Sequence, residues 1–285
     1  MKEGASVTTR RKEDYQESLI KRSLRYLNTG FPVHFTGPPG VGKTTSALQL
    51  AKKRNRPVIF MSGHEDLSTN DLIGSFSGYK RNKLDDNYIH TVRKVEENVE
   101  ESWKKGRLYE AVEQGHTVIY DEFTRTSPAV NNLFLPVLEE RILPLFGTKR
   151  TASYIDVHPK FAMIFTSNPL EYSGVHPSQD ALRDRMITMR FQLMEEERKH
   201  QVLASETSLK DKDISMILSI VSRAEEKKNE QGGSVRLPLM IAKVADRYQM
   251  KVSGDNPNFR EVCYDILWHH EDDMSDEEFE ELFSK

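Results

Sequence analysis

The residues best suited to chemistry form one continuous segment with the pattern G-x-x-x-x-G-K-[ST]. The pattern and the residue after it comprise Gly37, Pro38, Pro39, Gly40, Val41, Gly42, Lys43, Thr44 and Thr45. Glycines here let backbone N–H groups turn toward phosphate oxygens, and the helix predicted to follow directs its positive end at the same anions. Lys43 can reach the β- and γ-phosphates, and the Thr44 hydroxyl can ligate Mg²⁺. The segment therefore predicts a site for a nucleoside triphosphate with Mg²⁺.

Two adjacent acids follow an apolar run further along the chain. Residues 117–120 predict a buried strand, and Asp121 and Glu122 come at its end. Open α/β sheets bind ligands at the carboxyl ends of their strands, so we expect these acids at the nucleotide. Asp121 would hold Mg²⁺ through its water shell, and Glu122 would orient and polarise the attacking water.

Asn168 ends the next predicted buried strand. At the same edge of the sheet, its amide could contact the γ-phosphate or the attacking water. An asparagine before a proline, here Pro169, is also common in turns. The sequence alone leaves both interpretations open.

The composition limits the class of protein. The chain of 285 residues is 37% hydrophobic and 30% charged, with a net charge of −3. It has no apolar run of the roughly 18–20 residues that span a bilayer. Its first residues contain no apolar segment of the kind that a secretory signal requires. Its one cysteine, Cys263, excludes an internal disulfide framework and is interpreted as a small buried residue. These features favour a cytoplasmic protein without membrane or nucleic-acid partners.

Buried strands separated by helices and loops indicate an α/β fold with a largely parallel sheet. The predicted strands are 32–37, 57–63, 117–122, 161–169 and 186–191, with a β-hairpin over 142–159. The predicted helices are 14–28, 46–55 and 127–141, with short helical pieces such as 91–105.

The character of the sequence changes near residue 193, where it becomes helical and charged. We therefore predict a flexible N-terminus, a nucleotide-binding domain, a helical lid domain and an acidic C-terminal tail. These four segments are 1–13, 14–193, 194–270 and 271–285.

Four segments, GPPGVGKT, VIYDE, FTSN and ALRDRM, resemble the AAA+ ATPases in order and spacing. The stretches DLIGSFSGY, GRLYEAVEQGHTVIYDEFTR and NNLFLPVLEER are similar to the MoxR-like branch of that family. Together with TSNP and SVRLP, they resemble the gas vesicle protein N family within this branch. The resemblance implies an AAA+ P-loop αβα sandwich followed by a small α-helical lid, with ATP between them. It also implies inserts at about 74–105 and 142–159.

The resemblance further assigns roles to single residues. Asn168 matches the residue called sensor 1, and Arg185 in ALRDRM matches the arginine finger, which acts on the nucleotide of a neighbouring subunit. Met186 replaces the usual aromatic residue after that arginine, and Arg183 is a rival for the role. Arg236 in SVRLP matches sensor 2 on the lid.

The implied function is that of an ATP-hydrolysing chaperone or remodelling protein required for gas vesicle assembly. Such a protein would form a homo-oligomeric ring, with a hexamer as the implied size. It would act on gas vesicle structural or accessory proteins, in the cytoplasm and in association with the vesicles.

Two alternatives remain open. One is a MoxR-type ATPase that remodels another client, by metal insertion or enzyme activation. The other is an ATP-binding switch or scaffold with little turnover. A DNA-translocating motor lacks support, because no helix-turn-helix, zinc finger or long basic run is present.

Overall fold

The structure is a computed structural model that describes residues 15–86, 94–145, 153–169, 177–228, 233–267 and 275–283. For residues 76–86, 94–102, 177–179 and 276 it describes the backbone alone. The segment predicted as a flexible N-terminus, 1–13, lies outside the described residues.

The chain divides by its contacts into two compact units. The core unit is drawn from Met1–Thr36 and Thr44–Met189, and the helical unit from Gly37–Lys43 and Arg190–Lys285. The second division thus falls after Met189, whereas the sequence predicted a boundary near 193. The glycine-rich loop groups with the helical unit although it follows a strand of the core unit.

A parallel sheet forms the centre of the core unit. The strands are β1 (Val33–Thr36), β2 (Val58–Ser62), β3 (Gly74–Asp86), β4 (Lys94–Lys105), β5 (Thr117–Asp121), β6 (Ile142–Pro144), β7 (Tyr154–Asp156), β8 (Ala162–Ser167) and β9 (Ile187–Arg190). Five of them form a sheet in the order β2-β5-β8-β1-β9, and the β2–β5, β5–β8 and β8–β1 pairs are parallel. The predicted α/β fold with a parallel sheet is confirmed.

The register of the sheet brings the ends of three strands to one edge. Tyr120 of β5 lies opposite Phe165 of β8, and Thr36 of β1 lies opposite Ser167 of β8. The glycine-rich loop follows β1, the acid pair lies at the end of β5 with Asp121 as its last residue, and Asn168 follows β8. The sheet therefore supplies the common edge that the site requires.

Aromatic side chains pack around the end of β5 at this edge of the sheet. The β8 strand is buried along its whole length and β5 up to Tyr120, which explains why both are continuous apolar runs. The rings of Tyr120, Phe123, Phe134 and Phe165 pack with centroids 5.1–6.3 Å apart. Tilted and edge-on contacts of this kind add to the stability that burial supplies, and they fix the end of β5.

The helices match the sequence prediction in part. They are α1 (Tyr15–Asn28), α2 (Lys43–Lys52), α3 (Thr69–Ile73), α4 (Arg107–Gln114), α5 (Pro128–Asn131), α6 (Phe134–Leu138), α7 (Pro177–Arg183), α8 (Glu196–Glu206), α9 (Asp211–Lys227), α10 (Arg236–Arg247), α11 (Pro257–Leu267) and α12 (Asp276–Glu281). The helices predicted before β1 and after the glycine-rich loop are present as α1 and α2.

The single helix predicted over 127–141 is wrong, because the chain breaks it into α5 and α6. Pro136 explains the break: it has no N–H, and in a continuing helix its ring would clash with the carbonyl four residues earlier. Restarting the helix at Phe134 places Pro136 in a first turn, where proline is tolerated.

The helical piece predicted over 91–105 is also wrong over residues 94–105, and its first three residues lie outside the described part of the chain. Residues Lys94–Lys105 form β4, which pairs antiparallel with β3 and shows a register irregularity between Phe76 and Tyr79. Lysine and glutamate favour a helix locally, but the pairing with a strand earlier in the chain overrides that preference. The predicted hairpin over 142–159 is confirmed, since β6 and β7 pair antiparallel.

The helical unit has its own apolar core, built from α8 to α12. Ile217 of α9, Ile241 of α10 and Cys263 of α11 are fully buried there. Burial raises the pKa of the Cys263 thiol to about 12, so it remains a neutral thiol, as its interpretation as a small core residue requires. Within the described residues, no helix has the length and apolar character to cross a membrane.

The segment predicted as an acidic tail, 271–285, contains a packed helix. Ser275 and Glu278 form a reciprocal capping box at the start of α12. Phe279 is 7% exposed and Leu282 is fully buried, and both belong to the core of the helical unit. This part of the segment is therefore a structural element, with two apolar residues facing inward among outward-facing acids.

Candidate active site

The glycine-rich loop has the backbone that its pattern requires. Gly40 and Gly42 have φ of 73° and 86°, a left-handed conformation that side chains other than glycine rarely adopt. A Cβ at Gly40 would also lie 1.9 Å from Ser234 Oγ, and the Gly40 carbonyl accepts a hydrogen bond from the Val235 N–H at 3.3 Å. The segment before α10 therefore packs directly on the loop and leaves no space for a larger residue.

The ammonium of Lys43 lies inside the loop. Its Nζ donates to the carbonyl oxygens of Gly37 and Pro38 at 2.8 and 2.6 Å. These neutral acceptors hold the positive charge beside the backbone that would surround phosphate oxygens. Phosphates can replace them as partners, and charged acceptors form the stronger hydrogen bonds.

We expect Lys43→Ala to weaken ATP binding by about 10- to 150-fold, the effect of losing a charge-assisted hydrogen bond of about 1.5–3 kcal/mol. Titration calorimetry with ATP measures it. Lys52→Ala is the matched control, because Lys52 is an exposed lysine in the last turn of the same helix. Unchanged affinity in Lys43→Ala would contradict the assignment of the loop.

The two predicted metal ligands come together at the end of β5. Thr44 Oγ1 donates to Asp121 Oδ1 at 2.8 Å. A hydroxyl and a carboxylate are hard oxygen donors, which suit Mg²⁺. In the part of the chain that the structure describes, no group of three or more His, Cys, Asp or Glu side chains is placed to hold a metal. Mg²⁺ at this pair would take its other ligands from phosphates and water, as it commonly does.

Glu122 has an unusual backbone and a loosely held side chain. Its φ is 50°, which is left-handed, and its N–H donates to Thr166 Oγ1 at 3.0 Å. The carboxylate lies 3.0 Å from Arg125 Nε, in a pair whose side chains are 38% and 52% exposed. Exposed ion pairs contribute only about 0–1 kcal/mol, so Glu122 is readily released to contact a water.

Gly63 and Asn131 fix the turn that contains the acids. The Gly63 N–H donates to the Asp121 carbonyl at 2.7 Å, and a Cβ on Gly63 would lie 2.3 Å from the Glu122 carbonyl oxygen. The buried Asn131 amide donates to the carbonyls of Phe123 and Thr126 at 3.0 and 3.3 Å. Sequence reasoning missed both residues, although Gly63 was visible as the glycine that ends the second predicted strand.

A buried histidine contacts Ser167, the residue before Asn168. His34 Nε2 is 2.7 Å from Ser167 Oγ, and Nδ1 is 3.2 Å from Thr188 Oγ1. Burial, and then the positive charge of Arg183, lower the pKa of His34 to about 3, so its imidazole is neutral at physiological pH. The contact links β1, β8 and β9, and Asn168 follows Ser167 directly, at the same edge as the acids.

The three candidate arginines lie in different environments. Arg185 donates to Glu139 Oε2 and to the Ala181 carbonyl, both within 2.7 Å. Arg183 pairs with Asp180 at 3.5 Å and is close enough to His34 to affect its pKa. Arg236 is exposed at the start of α10, with its N–H bonded to Ser234 Oγ. Among the described residues, no hydrogen bond or ion pair joins Arg185 to Asp121 or Glu122.

A glycine-rich loop after β1 and an acid pair at the end of β5 in a parallel sheet are typical of P-loop nucleoside triphosphatases. Residues 32–186 match the family model for the AAA domain of the dynein-related subfamily, which makes the chain an ATPase of the AAA class. The chain is 43% identical over 250 residues to the gas vesicle ATPase GvpN of Ancylobacter aquaticus, covering 87% of this chain and 70% of that protein. It is 36% identical over 247 residues to GvpN of Haloferax mediterranei, covering 86% and 70%. The chain belongs to the gas vesicle ATPase GvpN family.

A solved structure supports the fold independently. A variant of RuvB from Thermotoga maritima superposes with a TM-score of 0.51 at 16% identity, covering 88% of this chain and 68% of that chain. At this identity the likeness concerns the fold alone. The match to the AAA family model and the likeness to this solved structure both agree with the α/β architecture described above.

Proposed function

We propose that this ATPase is a chaperone-like remodelling protein required for gas vesicle assembly. The hydrogen bond between Thr44 and Asp121, with Glu122 next to it, carries the proposal of Mg²⁺-dependent hydrolysis. The similarity to gas vesicle ATPases over 87% of the chain carries the biological role. The proposed location is the cytoplasm, in association with the vesicles.

Each site residue has a distinct part in the proposed hydrolysis. Lys43 binds the β- and γ-phosphates, and Thr44 and Asp121 hold Mg²⁺, which when bound neutralises charge on the phosphate oxygens. Glu122 orients a water in line with the bond to the leaving oxygen and takes its proton as that bond breaks. Asn168 donates its amide to the γ-phosphate or to the water.

Arginines complete the proposed site. Arg185 of a neighbouring copy stabilises the charge of the transition state, and Arg236 acts as sensor 2 from the start of α10. A site completed by a neighbour makes turnover depend on a homo-oligomeric ring, with a hexamer as the proposed size. Hydrolysis in the ring then does work on gas vesicle structural or accessory proteins. The nearly balanced charge of the chain, −3, supports protein clients over nucleic acid.

The client is tested by capture in cells that make gas vesicles. A Glu122→Gln variant, which keeps ATP bound, is expected to enrich gas vesicle proteins when purified in the presence of ATP. The matched control is Lys43→Ala, which is expected to enrich the same proteins less because it binds ATP more weakly. Enrichment of an unrelated enzyme would instead support a MoxR-type role with another client. Wild-type protein without measurable turnover would support a switch.

A further inference from the structure

Thr166 of β8 connects the two acids of the site through one hydroxyl. Its Oγ1 donates to Asp121 Oδ1 at 2.5 Å and accepts the Glu122 N–H at 3.0 Å. The residue is 1% exposed, so water does not compete for these contacts. Sequence reasoning passed over Thr166 because its role depends on the register of β8 against β5.

The hydroxyl is suited to this double contact. A threonine hydroxyl has one hydrogen to donate and lone pairs to accept, and here the single hydrogen goes to the carboxylate and a lone pair to the amide. The branched Cβ limits rotation about χ1, so the oxygen is held in one place. Thr44 Oγ1 donates to the same Asp121 oxygen at 2.8 Å. The carboxylate is thereby oriented from both α2 and β8.

The backbone of Glu122 needs such a partner. Its left-handed φ of 50° is unfavourable for a residue with a side chain. The hydrogen bond from its N–H to Thr166 stabilises this conformation. The backbone conformation in turn sets the direction in which the Glu122 side chain leaves the main chain. A change at Thr166 would therefore reach Glu122 through the backbone and Asp121 through its side chain.

We propose that Thr166 is a positioning residue for hydrolysis, which holds the Asp121 carboxylate and the Glu122 backbone in their working arrangement. The inference rests on the proposed roles of those two acids. In this proposal Thr166 does not contact the nucleotide. A change at Thr166 should therefore lower turnover without weakening ATP binding.

Thr166→Val tests the proposal, since valine keeps the shape and removes the hydroxyl. Its kcat is expected to fall by about 10- to 100-fold, the usual effect of removing a residue that orients a metal ligand. The Mg²⁺ concentration that gives half-maximal rate should rise, while ATP affinity measured without Mg²⁺ stays that of wild type. Thr166→Ser, which restores the hydroxyl, should recover most of the turnover.

Thr117→Val is the matched control. Thr117 is an equally buried threonine at the opposite end of β5, where its Oγ1 accepts a hydrogen bond from Arg54 Nε at 3.1 Å. Losing that hydroxyl should leave kcat and the Mg²⁺ dependence unchanged. An equal loss of turnover in both valine variants would overturn the proposal, because it would show a general effect on the sheet.

Two further outcomes are decisive. Wild-type kcat in Thr166→Val, or failure of Thr166→Ser to recover it, would overturn the positioning role. If Thr166→Val unfolds at the assay temperature, Thr166→Ala takes its place, and unfolding of both would show that the hydroxyl serves folding instead. Glu122→Gln assayed in parallel keeps the two proposals apart: normal turnover there would contradict the hydrolysis mechanism, whatever happens at position 166.

Discussion

Arg185→Ala is expected to lower ATP turnover by about 10³–10⁵-fold, the contribution of an arginine finger supplied by another subunit. ATP binding should persist, because Arg185 makes no described contact with the residues that would hold the nucleotide in its own chain. In this structure the Arg185 guanidinium forms a partly exposed ion pair with Glu139. Such pairs are weak, so a phosphate of a neighbouring subunit can replace Glu139.

Mixing experiments show whether Arg185 acts on a neighbour. Arg185→Ala retains an intact loop, and Lys43→Ala retains an intact Arg185, so mixed assemblies should regain some complete sites. The measurement is the ATPase rate against mixing ratio at fixed total protein, with co-assembly verified by native mass spectrometry. Absence of activity above both parents would reject a role in trans. Arg183→Ala in the same mixture shows whether the finger lies two residues earlier.

Glu122→Gln should bind ATP with wild-type affinity and hydrolyse it about 10²–10⁴-fold more slowly, the range expected for loss of a general base. Glutamine is nearly isosteric, and the backbone hydrogen bond from residue 122 to Thr166 does not depend on the side chain. The amide cannot take a proton from water at neutral pH. Single-turnover hydrolysis and equilibrium binding of labelled ATP separate the two effects.

The control for this substitution is Glu113→Gln, at the surface end of α4. Glu113 pairs with Lys105 at 2.5 Å, and both side chains are more than a third exposed. The change removes the same charge before the start of β5, whereas the acid pair lies at the end of that strand, and turnover should not respond. A fast Glu122→Gln variant would move the catalytic base to another residue and leave Glu122 with a structural role.

The sequence predicted the centre of the sheet well because β1, β5 and β8 are buried on both faces. A parallel strand such as β8 is a continuous apolar run, and such runs are visible without knowledge of neighbours. The β4 strand was missed because its lysines and glutamates favour a helix locally, and only pairing with β3 makes it extended. The break between α5 and α6 depends on where Pro136 falls in a turn, a detail that periodicity does not resolve.

In the candidate site, too, the residues that follow a local pattern were predicted, and those that depend on tertiary structure were not. Lys43, Thr44 and Asp121 were predicted because their types and spacing follow a pattern, and the structure brings Thr44 and Asp121 into contact. The sequence did not predict Thr166 or Gly63. The role of Thr166 depends on the register of β8 against β5, and that of Gly63 on its close approach to the Glu122 carbonyl, and no local pattern encodes either. A threonine inside the apolar run 161–167 was nonetheless a visible signal that a polar partner lay opposite.

If Glu122 has the proposed role in hydrolysis, its left-handed backbone sets catalysis against stability at a single position. A side chain held at φ of 50° costs about 1–3 kcal/mol, and glycine would avoid that cost. Replacing this acid with glycine would therefore stabilise the fold while removing the carboxylate that the proposed hydrolysis needs.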